Sequence, residues 1–422
     1  MHLAAFNVTD EMIPLWRGTF MLDDTLDPPD SKDDWHWAVL VGDTWERHGE
    51  YVAFALMYLP GSFDRPPRNP AEKINSGYKA WEFLLYFYGM CPALLLGVLP
   101  EPYYGHFCRL VKALRIMMQH DISAAQLLKA HIELLTFVDN FERIYYQQCP
   151  DRLHFVCPWL HALTHLVPEA CNKGPPICSS QWTMERAIGS LGRKLRQHLN
   201  PYANLEQRAI NRVQTNALAI IYPELDTSDT LPLPHGTIDL GQGYVLLGAK
   251  DHCAVDLPQE EHYVISHALR EHSIETLPNF RLQHWARMRL PNNQVARSLW
   301  KEDLMKHCPR IARNIKFESN GKTRFAKVQY YFYVEGIPFA LVSLYGKPDQ
   351  DLLKLSRGTV IACQHPHEVK QLAVIDVFLI KSVVAMILHE FPIVNRMLCY
   401  LVEKPGLEIA TFAGHEEIVE DK

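Results

Sequence analysis

The sequence predicts an α+β protein of more than one domain, mostly helical in its first half and β-rich in its last third. After Pro70, apolar residues recur at three- and four-residue steps, as on one face of a helix. Prolines 223, 232 and 234 then break that pattern in an acidic stretch, and from about Asn314 β-branched and aromatic runs alternate with turns. The resulting units are 1–222, helical; 223–309, a linker with a short strand and a helix; and 310–422, a small barrel-like β-rich domain.

The first irregular segment is Asp23 to Asp34, where Asp23, Asp24, Asp27, Asp30, Asp33 and Asp34 surround Pro28 and Pro29. Without the ordered glycine turn of a calcium loop, the carboxylates read as a solvated loop rather than a cation site. Past the proline-rich Leu59–Pro70 segment, Phe107, Leu110, Leu114, Met117 and Met118 fall on one helical face. Ser123-Ala-Ala-Gln126 is a capping-box start for the next helix, whose periodic residues are Leu127, Leu128, Leu135, Val138, Phe141 and Tyr145.

His154, His161 and His165 follow, the last two four residues apart and so on one helix face, with Cys157 nearby. A His-x-x-x-His pair is a familiar zinc element, but spacing supplies no fourth ligand. Histidines packed or hydrogen-bonded in a helical core are the favoured reading.

In the second half, Asp239-Leu-Gly-Gln-Gly-Tyr-Val-Leu-Leu247 reads as a short strand after a turn, and residues 259–273 as a polar helix. His262, His267 and His272 recur at five-residue steps, which spreads them around that helix and predicts no shared metal. Strands are expected at Lys327–Val334, Pro338–Leu344, Thr359–Cys363 and Leu372–Asp376, in a module like a chromatin reader or a Src-homology-3 domain. Tyr330, Tyr331, Phe332 and Tyr333 are candidates for a recognition groove, although core packing is the favoured role.

With 422 residues, 48% of them hydrophobic, the chain has the material for a large core. A net charge of -6 gives no global sign of nucleic-acid binding, though a local basic patch can sit within an acidic average. The ten cysteines include no Cys-x-x-Cys pair, and the N-terminus lacks a basic region followed by a long apolar run. An intracellular protein with reduced thiols is expected. No apolar run reaches the roughly 18 residues of a membrane span; the nearest, Phe83–Leu99, is broken by Gly89, Pro92 and Gly97.

The stretch richest in candidate chemistry is Cys178-Ser-Ser-Gln-Trp182-Thr-Met-Glu185-Arg186-Ala-Ile-Gly189-Ser-Leu-Gly192, followed by Asn200-Pro-Tyr-Ala-Asn204. Taken alone, Glu185 is an ordinary first-turn acid favoured by the helix dipole, and Trp182, one turn earlier, a packing residue. Between residues 186 and 212, Arg186, Arg193, Lys194, Arg196, Arg208 and Arg212 stand against Glu206, six minus one, or +5. Such a patch suits either phosphate contacts or a solvated helix face.

This stretch resembles the last acidic motif of CACTA-type (En/Spm) DNA transposases. Leu15-Trp-Arg-Gly-Thr19, Leu59-Pro-Gly-Ser-Phe-Asp-Arg-Pro-Pro-Arg-Asn-Pro70 and Ser76-Gly-Tyr-Lys-Ala-Trp-Glu82 are similar, in the same order, to the fungal branch, as is the C-terminal piece with Val402-Glu-Lys-Pro-Gly406. The resemblance implies a ribonuclease-H-like core with a large helical insertion at residues 13 to about 170. It also implies two-metal phosphoryl transfer with magnesium held by three carboxylates. Glu185 matches the third. His2 matches the histidine of the Asp-x-x-His motif, which places the second aspartate two residues before Met1 and the first further upstream. The expectation is therefore the C-terminal part of a transposase, truncated or decayed, inactive as this chain alone. Its implied setting is the nucleus, its implied partner the transposon DNA ends, with homo-oligomer formation possible. The alternative expectation is a non-catalytic DNA- or protein-binding derivative that uses the basic segment and the β-rich tail.

Overall fold

The computed structural model describes residues 2–21, 30–178, 181–193, 200–222, 224, 233–275, 280–305, 310–369 and 371–406. Among these the first half is helical and the second half carries three antiparallel sheets, so the fold is mixed α+β.

The principal helices of the first half are α1 (Val8–Trp16), α2 (Gly42–Ala55), α3 (Tyr103–Met117), α4 (Ala124–Phe141), α5 (Pro158–Lys173), α6 (Gln181–Arg193) and α7 (Pro201–Ile221). Between α2 and α3 runs a continuous helical stretch, Ala80–Phe83, Leu84–Met90 and Cys91–Leu94, whose middle part is π-helical and buried at every residue. A helix that is apolar all round belongs inside a body, and the others wrap it. Trp16 stacks on Phe87 with centroids 5.6 Å apart and meets Phe107 edge-on at 5.0 Å. Its indole Nε1 donates to the Tyr145 hydroxyl at 3.0 Å, satisfying a buried polar group.

The α3 face is the expected one: Phe107, Leu110, Leu114, Met117 and Met118 are all buried. The start of α4 also follows expectation. Ser123 Oγ accepts from Gln126 N, and the Gln126 side chain accepts in turn from Ser123 N at 2.8 Å. The inward face of α4 differs. Leu128 is 62% and Leu135 43% exposed, whereas Ala130, Leu134, Phe137, Phe141 and Tyr145 are buried. The sequence holds two overlapping apolar stripes, and α3 and α5 select one. His106 of α3 lies flat on Phe137 at 4.0 Å, and Trp159 of α5 meets Phe141 edge-on at 6.0 Å.

The β half contains β1 (Ile238–Gly241), β2 (Tyr244–Leu246), β3 (Arg287–Arg289), β4 (Val295–Arg297), β5 (Asn314–Ser319), β6 (Lys322–Val334), β7 (Ile337–Leu344), β8 (Ala362–Cys363), β9 (Leu372–Asp376), β10 (Ile380–Val383), β11 (Ala385–Phe391) and β12 (Arg396–Val402). The sheets run β1-β2-β3-β4, β10-β5-β6-β7-β9 and β11-β12-β8. The polar helix expected at 259–273 is α8 (Gln259–Glu271).

The segment read as one strand at Asp239–Leu247 is a hairpin. Gln242 and Gly243 take φ of 53° and 83°, which the two-residue turn between antiparallel strands requires. A Cβ on Gly243 would also meet Pro291 at 3.2 Å. The Thr359–Cys363 strand shortens to Ala362–Cys363, while Leu372–Asp376 is as expected.

Three neighbouring aromatics of β6 are buried because both faces of its sheet are covered. Tyr331 packs with Ala340, Val342 and Met288 on the side of β1–β4. Tyr330 and Phe332 pack with Phe339, Leu341 and the α8 residues Ile265 and Leu269 on the other. Tyr333, beyond this double cover, is 37% exposed.

The third sheet closes the molecule onto its helical half. Ala385, Ile387, Phe391, Leu398, Tyr400 and Val402 share one continuous core with Val52, Leu85, Tyr88 and Phe107. Gly89 permits this approach, since a Cβ there would lie 3.0 Å from Val402 Cγ1. Ile311 N donates to Met57 O at 2.8 Å, and Arg310 Nε to Leu59 O at 2.8 Å, extending the junction. The 223–309 stretch, read from sequence as a linker, contributes β1–β4 to a core shared with β5, β6 and β7.

Candidate functional site

Glu185 lies on α6, exposed to solvent. Gly189 and Gly192 follow it on the same helix, and a Cβ on either would meet nothing within 4 Å. Two glycines inside a helix cost about 1 kcal/mol each relative to alanine, and here no close packing explains them. Ile188, immediately before Gly189, is also exposed.

The chain re-enters helix at Asn200, which takes φ 54° and ψ 57°; asparagine tolerates this left-handed geometry and Pro201 then fixes the first helical position. None of the 21 residues of α7 is buried, although Ile210, Val213, Ile220 and Ile221 are apolar. Arg212 Nη1 donates to Ser190 Oγ at 3.3 Å, joining α7 to α6. The Arg208 guanidinium bonds Asn204 Oδ1 at 2.7 Å, and Gln207 Nε2 donates to Asn211 Oδ1 at 2.9 Å. These asparagines therefore hold their own helix in order.

Of the residues singled out by sequence, the structure thus gathers Glu185, Arg193, Arg208 and Arg212 on one helical pair. Lys194 and Arg196 lie outside the described residues. Trp182 and Arg186 are placed in α6 by their backbone, with their side chains outside the description. His2 is elsewhere on the chain's first helical turn, exposed, its ring 5.5 Å from that of Phe6. Among the described residues no hydrogen bond, ion pair or ring contact joins His2 to Glu185.

The other candidates resolve individually. His161 and His165 do share a face, with Nε2 atoms 2.9 Å apart, but on the surface of α5 rather than in a core. Cys157 turns away from them, its thiol on the His154 carbonyl at 3.4 Å, and His154 Nε2 binds Met21 O at 2.7 Å. Among the described residues no group of three or more His, Cys, Asp or Glu side chains is placed to hold a metal ion. Asp30 is not solvated: Arg152 donates to both its oxygens, at 2.7 and 2.8 Å, and Trp35 Nε1 donates at 2.7 Å. Asp23, Asp24 and Asp27 lie outside the described residues. No helix among the described residues is long and apolar enough to cross a membrane.

Sequence reading passed over three buried carboxyls. Glu82 accepts from Arg68 and from the Lys79 amide. Glu302 accepts from Arg297, Arg313 and the Ala312 amide. Glu11, on α1, is reached by Trp159 Nε1, and burial pushes its carboxyl up to about 7. The only sequence signal was at Glu82, three residues after Lys79 as in a capping box.

No family model, no curated protein and no solved structure matches this chain.

Proposed function

We propose that this chain is part of a CACTA-type cut-and-paste DNA transposase in which Glu185 is the third metal-binding carboxylate. In this reading residues 13 to about 170 form the helical insertion of a ribonuclease-H-like core, α6 is its last helix, and the β-rich part is an appended barrel-like module. The observation that carries it is the α6–α7 pair, which presents an exposed carboxylate and the cations Arg193, Arg208 and Arg212 together, outside the packed core.

A single glutamate offers oxygen to a hard cation but does not make a two-ion centre, which needs further carboxylates to position both metals for in-line displacement. In this reading the chain alone binds DNA ends and does not cut them without two further metal-binding carboxylates. Magnesium, nuclear location and self-association belong to the same proposal.

A second reading, a non-catalytic DNA- or protein-binding derivative, is favoured by the apolar side chains Val213, Ile220 and Ile221 exposed on α7. Both readings are tested by titrating duplex DNA against the purified chain at several salt concentrations. The transposase reading expects binding that weakens with salt and whose salt slope falls when Arg193, Arg208 and Arg212 are replaced by alanine. Absence of DNA binding at low salt removes it in favour of a protein partner. Metal-dependent strand cleavage by the chain, lost in Glu185→Gln, contradicts the inactivity expected here.

A further inference from the structure

A cavity lies away from the α6–α7 pair, at the seam between the helical half and the β half. It encloses about 470 Å³ and is lined by Arg115 of α3, Lys316 of β5, Lys381 of β10, and Lys404 with Glu403 beyond β12. Four cations therefore face one carboxylate. The volume falls in the range of small-molecule sites, roughly 300–1,000 Å³.

Arg115 is the decisive residue. Its Nε and Nη2 donate to Tyr88 O at 2.9 and 2.6 Å, and its Nη1 to Thr359 O at 2.7 Å. Backbone carbonyls satisfy these protons without cancelling the charge; among the described residues no carboxylate is ion-paired with the guanidinium, and Glu403 acts on it only through space. A cation held this way projects a positive potential into a walled space, where it is screened less than at an open surface.

The three lysines do have carboxylate neighbours: Glu403 at 2.7 Å from Lys316, Glu318 at 3.8 Å from Lys381, and Asp64 at 3.4 Å from Lys404. The Lys381–Glu318 pair is half-exposed on both sides and contributes at most about 1 kcal/mol, and Glu403 is half-exposed beside Lys316, so Lys381 and Lys316 are able to turn to a better anion, while Lys404 adds its charge from a more buried position. Met118 and Ile361 add apolar wall beside them, which suits an organic body attached to the anionic group.

We propose that this cleft binds a small phosphate-bearing organic molecule, with its phosphate on Arg115 and the lysines and its apolar part against Met118 and Ile361. A phosphate takes several charge-assisted hydrogen bonds at once, which a cluster of one arginine and three lysines supplies. The walls enclose a nucleotide-sized ligand, whereas a DNA duplex would meet only the rim. None of the cleft residues belongs to α6 or α7, so this site stands or falls independently of the DNA-binding reading.

The test titrates the full chain with inorganic pyrophosphate and with ATP, by calorimetry and by thermal midpoint, since a ligand that binds only the folded state raises that midpoint. ATP is expected to bind more tightly than pyrophosphate. The double variant Lys316→Gln, Lys381→Gln, which changes rim side chains and leaves Arg115 in place, should weaken ATP by about 10-fold or more. A matched double variant at Arg208 and Arg212 should leave it unchanged. No binding of either probe at millimolar concentration, or equal binding by the Lys316/Lys381 variant, overturns the proposal. So does displacement of ATP by duplex DNA in the Arg208/Arg212 variant, which would assign the phosphates of this cleft to a DNA backbone.

Discussion

Arg68 and Glu82 form a two-pronged ion pair, Nε to Oε1 at 2.6 Å and Nη2 to Oε2 at 3.0 Å, around a carboxylate with no exposed side-chain surface. The Tyr78 hydroxyl donates to Arg68 O at 2.9 Å, and the guanidinium sits 5.4 Å from the centre of its ring. Arg68 and Glu82 come from the separate segments Leu59–Pro70 and Ser76–Glu82, so those two segments meet in space as a scaffold. Arg68→Met leaves the buried Glu82 with the Lys79 amide at 2.9 Å and, as its remaining cation, the more distant Arg65 at 3.3 Å, and should lower the urea midpoint with an unchanged slope. Arg65→Met, at a half-exposed side chain, should do little. Equal effects of the two variants would show that the pair is not what holds these segments.

Glu11 makes a separate prediction, because its folded carboxyl is raised by burial from 4.5 to about 7 against the bonds from Trp159 and Cys157. A raised acid favours folding in its protonated form. Its contribution is present below pH 4.5 and is lost as pH climbs through about 7, a difference of about 3 kcal/mol at most. Glu11→Gln should therefore gain on the wild type as pH rises to about 8 and lose that advantage near pH 4. A stability difference between the two that does not vary with pH would refute the assignment.

The buried histidines act in the opposite direction. Burial lowers His48 and His106 to about 3 and His389 to about 4, so all three are neutral in the fold. Their contribution is present above the unfolded value of 6.5 and is lost as pH falls toward those values. Each costs about 1.4 kcal/mol per pH step in that window. The thermal midpoint should drop steeply on acidification below about pH 6.5, and His106→Gln should make the drop shallower. A midpoint flat from neutral pH to about pH 5 would contradict this.

The rotated face of α4 is testable with one pair of substitutions. Leu134 is fully buried, and its replacement by alanine should cost about 2–5 kcal/mol. Leu128, 62% exposed, should cost under about 0.5 kcal/mol. Comparable losses would mean that both stripes are packed.

Local signals were legible wherever one residue's own chemistry decided the outcome. The Ser123 cap, the α3 stripe and the Leu372–Asp376 strand rest on neighbours within a few residues. What escaped was set by distant partners: Leu134 over Leu128 by α3 and α5, the two layers that together give Tyr330 and Tyr331 the core role favoured for them, and the Asp30–Arg152 pair by a separation of 122 residues. At the candidate site, a helix bearing Glu185 and a helical face bearing Arg208 and Arg212 were among the readings of the sequence, and α6 and α7 are those helices. Their lack of burial was not, because an amphipathic pattern shows which face is apolar and not whether anything covers it.

The shared core also bears on how far the halves are separable. Ala385, Ile387, Phe391, Leu398, Tyr400 and Val402 fill the helical body against Leu85, Tyr88 and Phe107. A fragment of residues 1–222 would expose the surface they cover, and loss of even one large buried side chain typically costs about 2–5 kcal/mol. That fragment should aggregate or bind a hydrophobic dye with poor tertiary structure, while the full chain unfolds in a single transition. Tyr400→Ala in the full chain should lower the stability of the helical half and of the β sheets together, as read by a probe at Trp16 and by hydrogen exchange in β6. If the 1–222 fragment folds with the full chain's protection pattern, the two halves are independent domains and the seam that shapes the cationic cleft is a docked surface instead of a common core.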